Sequence, residues 1–291
     1  MRLFDLHCDT LYKACVENSS LNDSSNHISI DKAHFLEKWV QLFAIWIPDT
    51  LNKKSSKQLF VDASKVFDKQ KVNNDKIKMH LAVENASMLA GDIDNIQLLI
   101  DNNVKSVTLT WNAENELGGG ADAPDVGLSD FGKAVVKELE NNNIAVDISH
   151  SSDKLFYDVI NIATKPVIAT HSNSRYITNV ARNLTDEQFK IIIQMGGIVG
   201  LNFYKGFLNK NENKASIDDL LRHAEHLLEI GGEDSLAIGS DFDGALMPDD
   251  ISGLETIPYI YERFCDYFGV NITKKIFFDN ANLYFSNFDN Y

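Results

Sequence analysis

Short apolar runs alternate along this chain with longer stretches whose apolar residues repeat every three or four positions. The runs cover residues 3–8, 39–47, 77–84, 104–111, 144–149, 166–171, 198–203 and 236–241. They are rich in Val, Ile, Leu and Phe, as strands buried on both faces are. The intervening stretches read as helices. Phe131, Val135, Val136 and Leu139 make one apolar face, and Leu220, Leu221, His223, Ala224, Leu227 and Leu228 make another. Thr185 with Gln188 and Ser216 with Asp219 have the spacing of capping boxes that start helices. Asn141–Asn143 and Gly231–Gly232 have the chemistry that ends them. His223 and His226, three apart on one helix, read as partly exposed.

Eight strands alternating with helices predict an α/β fold with parallel pairing. Over 291 residues that pattern fits a single (β/α)8 TIM barrel, residues 1–291. The rival is an open doubly wound sheet, but its glycine fingerprint is missing after the first strand, where LHCDT stands instead. No linker, repeat or low-complexity segment divides the chain. The polar stretch 18–26 reads as a surface loop.

Charge and cysteine usage narrow the function. A net charge of −15 repels phosphate backbones and anionic membranes, so neither nucleic acid nor membrane is an expected partner. Three cysteines without a CxxC pair argue against a disulfide scaffold. The first residues lack the basic-then-apolar pattern of a signal peptide. A cytoplasmic protein is the expectation.

The chemically capable residues fall at strand ends. His7 and Asp9 close the first strand, Glu84 the third, His150 the fifth, His171 the sixth and Asp241 the eighth. In a barrel these ends meet on one rim. His7 and Asp9, two apart, point the same way, and Cys8 points away from them. Three imidazoles and two carboxylates make a zinc-type donor set. Five ligands exceed the need of one catalytic ion and suit two, with a carboxylate shared. HxD alone is weak evidence; five such residues on one rim are strong evidence.

The segments DLHCDT, LAVEN, SVTLTWNAENELG, DISHSS, VIATHSNSR, ARNLTDE and GSDFDG, in this order, resemble the renal or membrane dipeptidase family of zinc peptidases. The resemblance runs from about residue 3 to DNANLYFSNF near the C-terminus. It implies a (β/α)8 barrel with two zinc ions that hydrolyses dipeptides by hydroxide attack, with a D-residue tolerated or preferred at the C-terminal position. It implies that His7 and Asp9 hold one zinc, His150 and His171 the other, and that Glu84 bridges them. Arg182 would bind the dipeptide's carboxylate, for which a guanidinium offers a two-pronged fork. Asp241 would carry the proton from the attacking water to the leaving amine. Members of this family are often dimers, so a homodimer is among the expected states.

One position departs from the family. Its mammalian members have a substrate-contacting histidine after the LTLT motif, where this chain has Trp111. An indole donates one weak hydrogen bond and cannot titrate. Either Asn112 or Asn115 supplies a replacement donor beside Trp111, or the metals suffice without one. Gly118–Gly120 lacks a following GK[ST] and reads as a mobile loop over the site rather than a phosphate cradle. The rival functions are another amidohydrolase-like hydrolase, acting on a lactone or cyclic amide, and a non-catalytic barrel.

Overall fold

The computed structural model describes residues 1–288. Seven strands form one parallel sheet: β1 Arg2–Cys8, β2 Lys38–Trp46, β3 Ile77–Glu84, β4 Val104–Thr108, β5 Ala145–Asp147, β6 Val199–Leu201 and β7 Leu236–Ile238. Their order across the sheet is β5-β4-β3-β2-β1-β7-β6, so β2 is central and β5 and β6 are the edges. Helices follow most strands, and their apolar faces cover the outside of the curled sheet. Val135, Val136 and Leu139 are buried in the helix Asp130–Asn141, as the spacing predicts. The capping box of Thr185 and Gln188 starts the helix Asp186–Gln194.

The sixth expected strand, residues 166–171, forms no ladder with the sheet. It is an extended segment with single parallel bridges, Ile168 to Asp147 at the β5 edge and Ala169 to Val199 at the β6 edge. Pro166 at its start lacks the N–H that a ladder needs. β4 is also shorter than its apolar run, because Leu109 leaves the ladder. Its carbonyl oxygen instead accepts hydrogen bonds from Asn115 Nδ2 at 2.8 Å and from the Ala86 N–H at 3.3 Å.

Two expectations about loops and helix faces change. Gly118–Gly120 is packed rather than mobile: Gly119 and Gly120 are buried, and a Cβ on Gly120 would collide with the Trp111 carbonyl. His223 is fully buried. Its Nδ1 accepts from the Ser174 N–H at 3.1 Å and its Nε2 donates to the Leu208 carbonyl at 3.1 Å, so both ring nitrogens are satisfied inside the core. Among the described residues, no helix is long and apolar enough to cross a membrane.

Candidate metal centre

Parallel strands bring their C-terminal ends to one side of a sheet, and this chain concentrates its chemistry there. His7 lies near the end of β1, which gains one residue over β2 between Asp5 and Cys8. Such a bulge re-aims the side chains beside it. His7 Nε2 lies 3.3 Å from Asp9 Oδ2, 3.7 Å from Glu84 Oε2 and 3.9 Å from Asp241 Oδ1. Glu84, the last residue of β3, turns its other oxygen the opposite way. Oε1 is 2.7 Å from His150 Nε2 and 3.6 Å from His171 Nε2. The two imidazole nitrogens are themselves 3.0 Å apart. His7, Asp9, Glu84, His150, His171 and Asp241 thus form one cluster.

The backbone is bent to make it. His150 has φ +69° and Asp241 φ +63°, in the left-handed region that side chains other than glycine adopt at a cost. Gly244 lies against Asp9, leaving no room for a Cβ there.

Burial and charge set the protonation of the cluster. Burial pushes the His150 and His171 imidazoles well below their ordinary range, helped by the positive charge of Arg182 and His7. Neutral rings with a free lone pair are what a metal ion needs. Burial also lowers His7, but the carboxylates of Asp9, Glu84 and Asp241 outweigh it and hold that ring at about 10. Burial raises Glu84 well above the usual carboxylate range, with Asp9 and Asp241 adding repulsion. Asp241 is raised by burial first, while His7 and a hydrogen bond from Asn202 Nδ2, 3.0 Å from its Oδ2, oppose the shift.

Behind the cluster lies a layer that sequence reasoning missed. His150 Nδ1 donates to Asn112 Oδ1 at 2.8 Å. His171 Nδ1 donates to Thr170 Oγ1 at 2.8 Å, and Thr170 Oγ1 donates to Asp147 Oδ2 at 2.5 Å. Asp147 also accepts from Thr108 Oγ1 and from the N–H groups of Ser149 and Thr170. A carboxylate at a strand end with no cation near it in sequence was the available signal. Each relay places the ring proton on Nδ1 and turns Nε2 toward the centre.

The expected substrate residues divide. Trp111 and Asn112 line a cavity of about 410 Å³ over the centre, together with Asp9, Glu84, His150 and Asp241. Asn112 spends its oxygen on His150. Asn115 is not brought to this cavity: its amide bonds Asn85 and the Leu109 carbonyl, and its oxygen accepts from the Leu117 N–H. It builds the loop after β4 instead. Arg182 is half-buried beside a small void shared with His150, Ser151 and Ser172. Its guanidinium lies 5.2 Å from the Phe207 ring centre, and its Nε and Nη2 are buried without a partner. Burial lowers this guanidinium to about 10 despite the nearby carboxylates of Glu84, Asp241 and Asp147.

This donor set fits metal ions. Two overlapping groups, His7–Glu84–His171 and His7–Asp9–Asp241, each bring their ligand atoms within 4.8 Å of one another. Asp9 Oδ1 is buried without a hydrogen-bond partner, a costly state that a cation would relieve.

Known proteins resemble this chain at several levels. An uncharacterized protein encoded in the pqqA 5′ region of Klebsiella pneumoniae is 33% identical over 202 residues, 66% of this chain and 74% of that one. An uncharacterized dipeptidase of Schizosaccharomyces pombe is 31% identical over 199 residues, which span 66% of this chain but 47% of that longer one. A metallopeptidase from Rhodobacter sphaeroides, solved with a phosphinate mimic of the dipeptide L-Ala-D-Ala, has the same fold. Its TM-score is 0.89 at 24% identity, over 98% of this chain and 99% of that one. A second solved dipeptidase of peptidase family M19 has a TM-score of 0.86 at 23% identity, over 98% of each chain. The model of the membrane dipeptidase family matches residues 56–281, so this chain belongs to the membrane dipeptidases, peptidase family M19, and is a hydrolase of the metallopeptidase class.

Proposed function

We propose that this protein is a binuclear zinc dipeptidase, built as one domain in which residues 166–171 close the curled sheet into an eight-membered ring. The observation that carries the reading is the division of Glu84. One oxygen faces His7 and the other faces His150 and His171, as a carboxylate shared between two cations requires. His7 and Asp9 would hold one zinc, and His150 and His171 the other. When bound, the two ions would supply Lewis acidity toward a carbonyl and make a water molecule more acidic.

The protein's own residues supply the rest. Arg182 has a buried fork with unpartnered donors, suited to the α-carboxylate of a short peptide. Asp241 holds its carboxyl above the usual range, and Asn202 anchors one of its oxygens. It is therefore poised to take a proton from the attacking water and return it to the leaving amine. Trp111 cannot exchange protons, so that traffic falls to Asp241. Asn112 and the Thr170–Asp147 pair keep His150 and His171 in the ligating tautomer. The Rhodobacter sphaeroides relative was solved with a mimic of L-Ala-D-Ala, which supports an L-Xaa-D-Xaa preference here.

The test is a dipeptide panel varying chirality at each position, run with chelator, with added zinc and alongside metal analysis. Turnover of L-Ala-D-Ala that vanishes with chelator and returns with zinc is the expected result. Protein holding about two zinc ions per chain that cleaves lactones or cyclic amides but no dipeptide would overturn the reading.

A further inference from the structure

We infer that the aromatic side of the cavity, formed by Tyr12, Trp46 and Trp111, is the pocket for the amino-terminal side chain of the substrate, and that it selects aromatic or large apolar residues. The inference rests on the dipeptidase reading above and names its substrate class.

The three rings form a continuous wall. Tyr12 meets Trp46 edge-on with centroids 4.8 Å apart, and Trp46 meets Trp111 edge-on at 4.9 Å. All three line the cavity and are only partly buried. Trp46 ends β2 and Trp111 follows β4, so they flank Glu84 at the end of β3. The edge-on contacts brace each ring against its neighbour and leave the remaining surface to the cavity. Half-buried indoles beside a polar metal centre are a poor arrangement for water and a good one for an apolar group.

The sheet order decides which end of the substrate meets this wall. β2 is the middle strand, and β5 and β6 are the edges. Arg182 belongs to the edge side. It shares a void with His150, which follows β5, and lies over Phe207, which follows β6. Arg182 and Trp46 therefore face each other across the curl of the sheet, with Glu84 and the histidines between. A dipeptide with its carboxylate at Arg182 and its peptide bond at the metal ligands must direct its first residue toward Trp46 and Trp111. The cavity lining holds the carboxylates of Asp9, Glu84, Asp241 and Asp243 but no Lys or Arg side chain, so an acidic amino-terminal side chain has no partner there.

The experiment measures kcat/KM of the zinc-loaded protein on Gly-, Ala-, Leu- and Phe-D-Ala. The expected result is a Phe-to-Gly ratio of about tenfold or more. That ratio should fall by at least about fivefold in Trp46→Ala and in Trp111→Ala, and persist in Trp46→Phe. A ratio taken within one preparation does not depend on how much of a variant is folded. A native ratio near one, or a ratio that both alanine variants leave unchanged, overturns the inference while leaving the dipeptidase reading intact. Fully zinc-loaded protein that cleaves neither these four nor their L-Ala counterparts overturns the dipeptidase reading itself.

Discussion

His150 Nε2 and His171 Nε2 lie 3.0 Å apart, each ring with its proton held on the far nitrogen. Asn112 accepts one of those protons and Thr170 the other. Two lone pairs are thus aimed at each other and at a carboxylate. The arrangement is repulsive until a positive charge enters it, and it offers that charge three donors at once.

The hydroxyl of Thr170 is the part of this arrangement easiest to remove. In Thr170→Val, His171 loses its acceptor and Asp147 loses a donor. Zinc affinity, measured by competition with a chromogenic chelator, should fall about 10–100-fold, and Thr170→Ser should restore most of it. Equal affinities in all three proteins would show that the relay does not tune the metal.

Metal should also stabilise the fold. A ligand that binds only the folded state adds about 2.7 kcal/mol at a concentration 100-fold above its dissociation constant. The melting temperature should therefore rise when zinc is added to chelator-treated protein. In Asp9→Asn the rise should shrink, because the buried oxygen without a partner no longer carries charge. An undiminished rise in that variant would place the ion elsewhere.

Arg182 should separate function from stability. Arg182→Met should raise KM for dipeptides, at a cost of about 2–4 kcal/mol in transition-state binding. Thermal stability should hold or improve, since a buried cation with unpartnered donors is replaced by an apolar side chain. A variant with native kinetics would remove Arg182 from the substrate.

Acid should weaken the protein partly through His223. Burial lowers this ring from 6.5 to about 4, so the unfolded chain takes up the proton first. The sign follows: stability is complete above pH 6.5 and is lost as pH falls toward 4. The full loss from this one group is about 3 kcal/mol. Urea titrations across that window should give a flatter pH dependence for His223→Gln than for the native chain.

The residues of the cluster were legible in the sequence because each ends or follows an apolar run, and such runs mark strand ends. Residues 166–171 looked like any other run, yet with Pro166 at their start they make only single bridges and no ladder. Thr170 and Asp147 were invisible as a pair, since only folding brings a threonine and an aspartate 23 positions apart into contact. His223 was misread because its partners, Ser174 and Leu208, come from distant parts of the chain. Asn115 looked like a substrate contact from its place near Trp111, but the loop geometry uses all of its hydrogen bonds nearby.

The left-handed turns at His150 and Asp241 set function and durability against each other. Each costs on the order of 1 kcal/mol, and a glycine at either position would relax it. A population of variants screened for heat resistance alone would therefore erode these two positions early. A library intended to harden this enzyme should hold both positions fixed, or apply a turnover screen in every round.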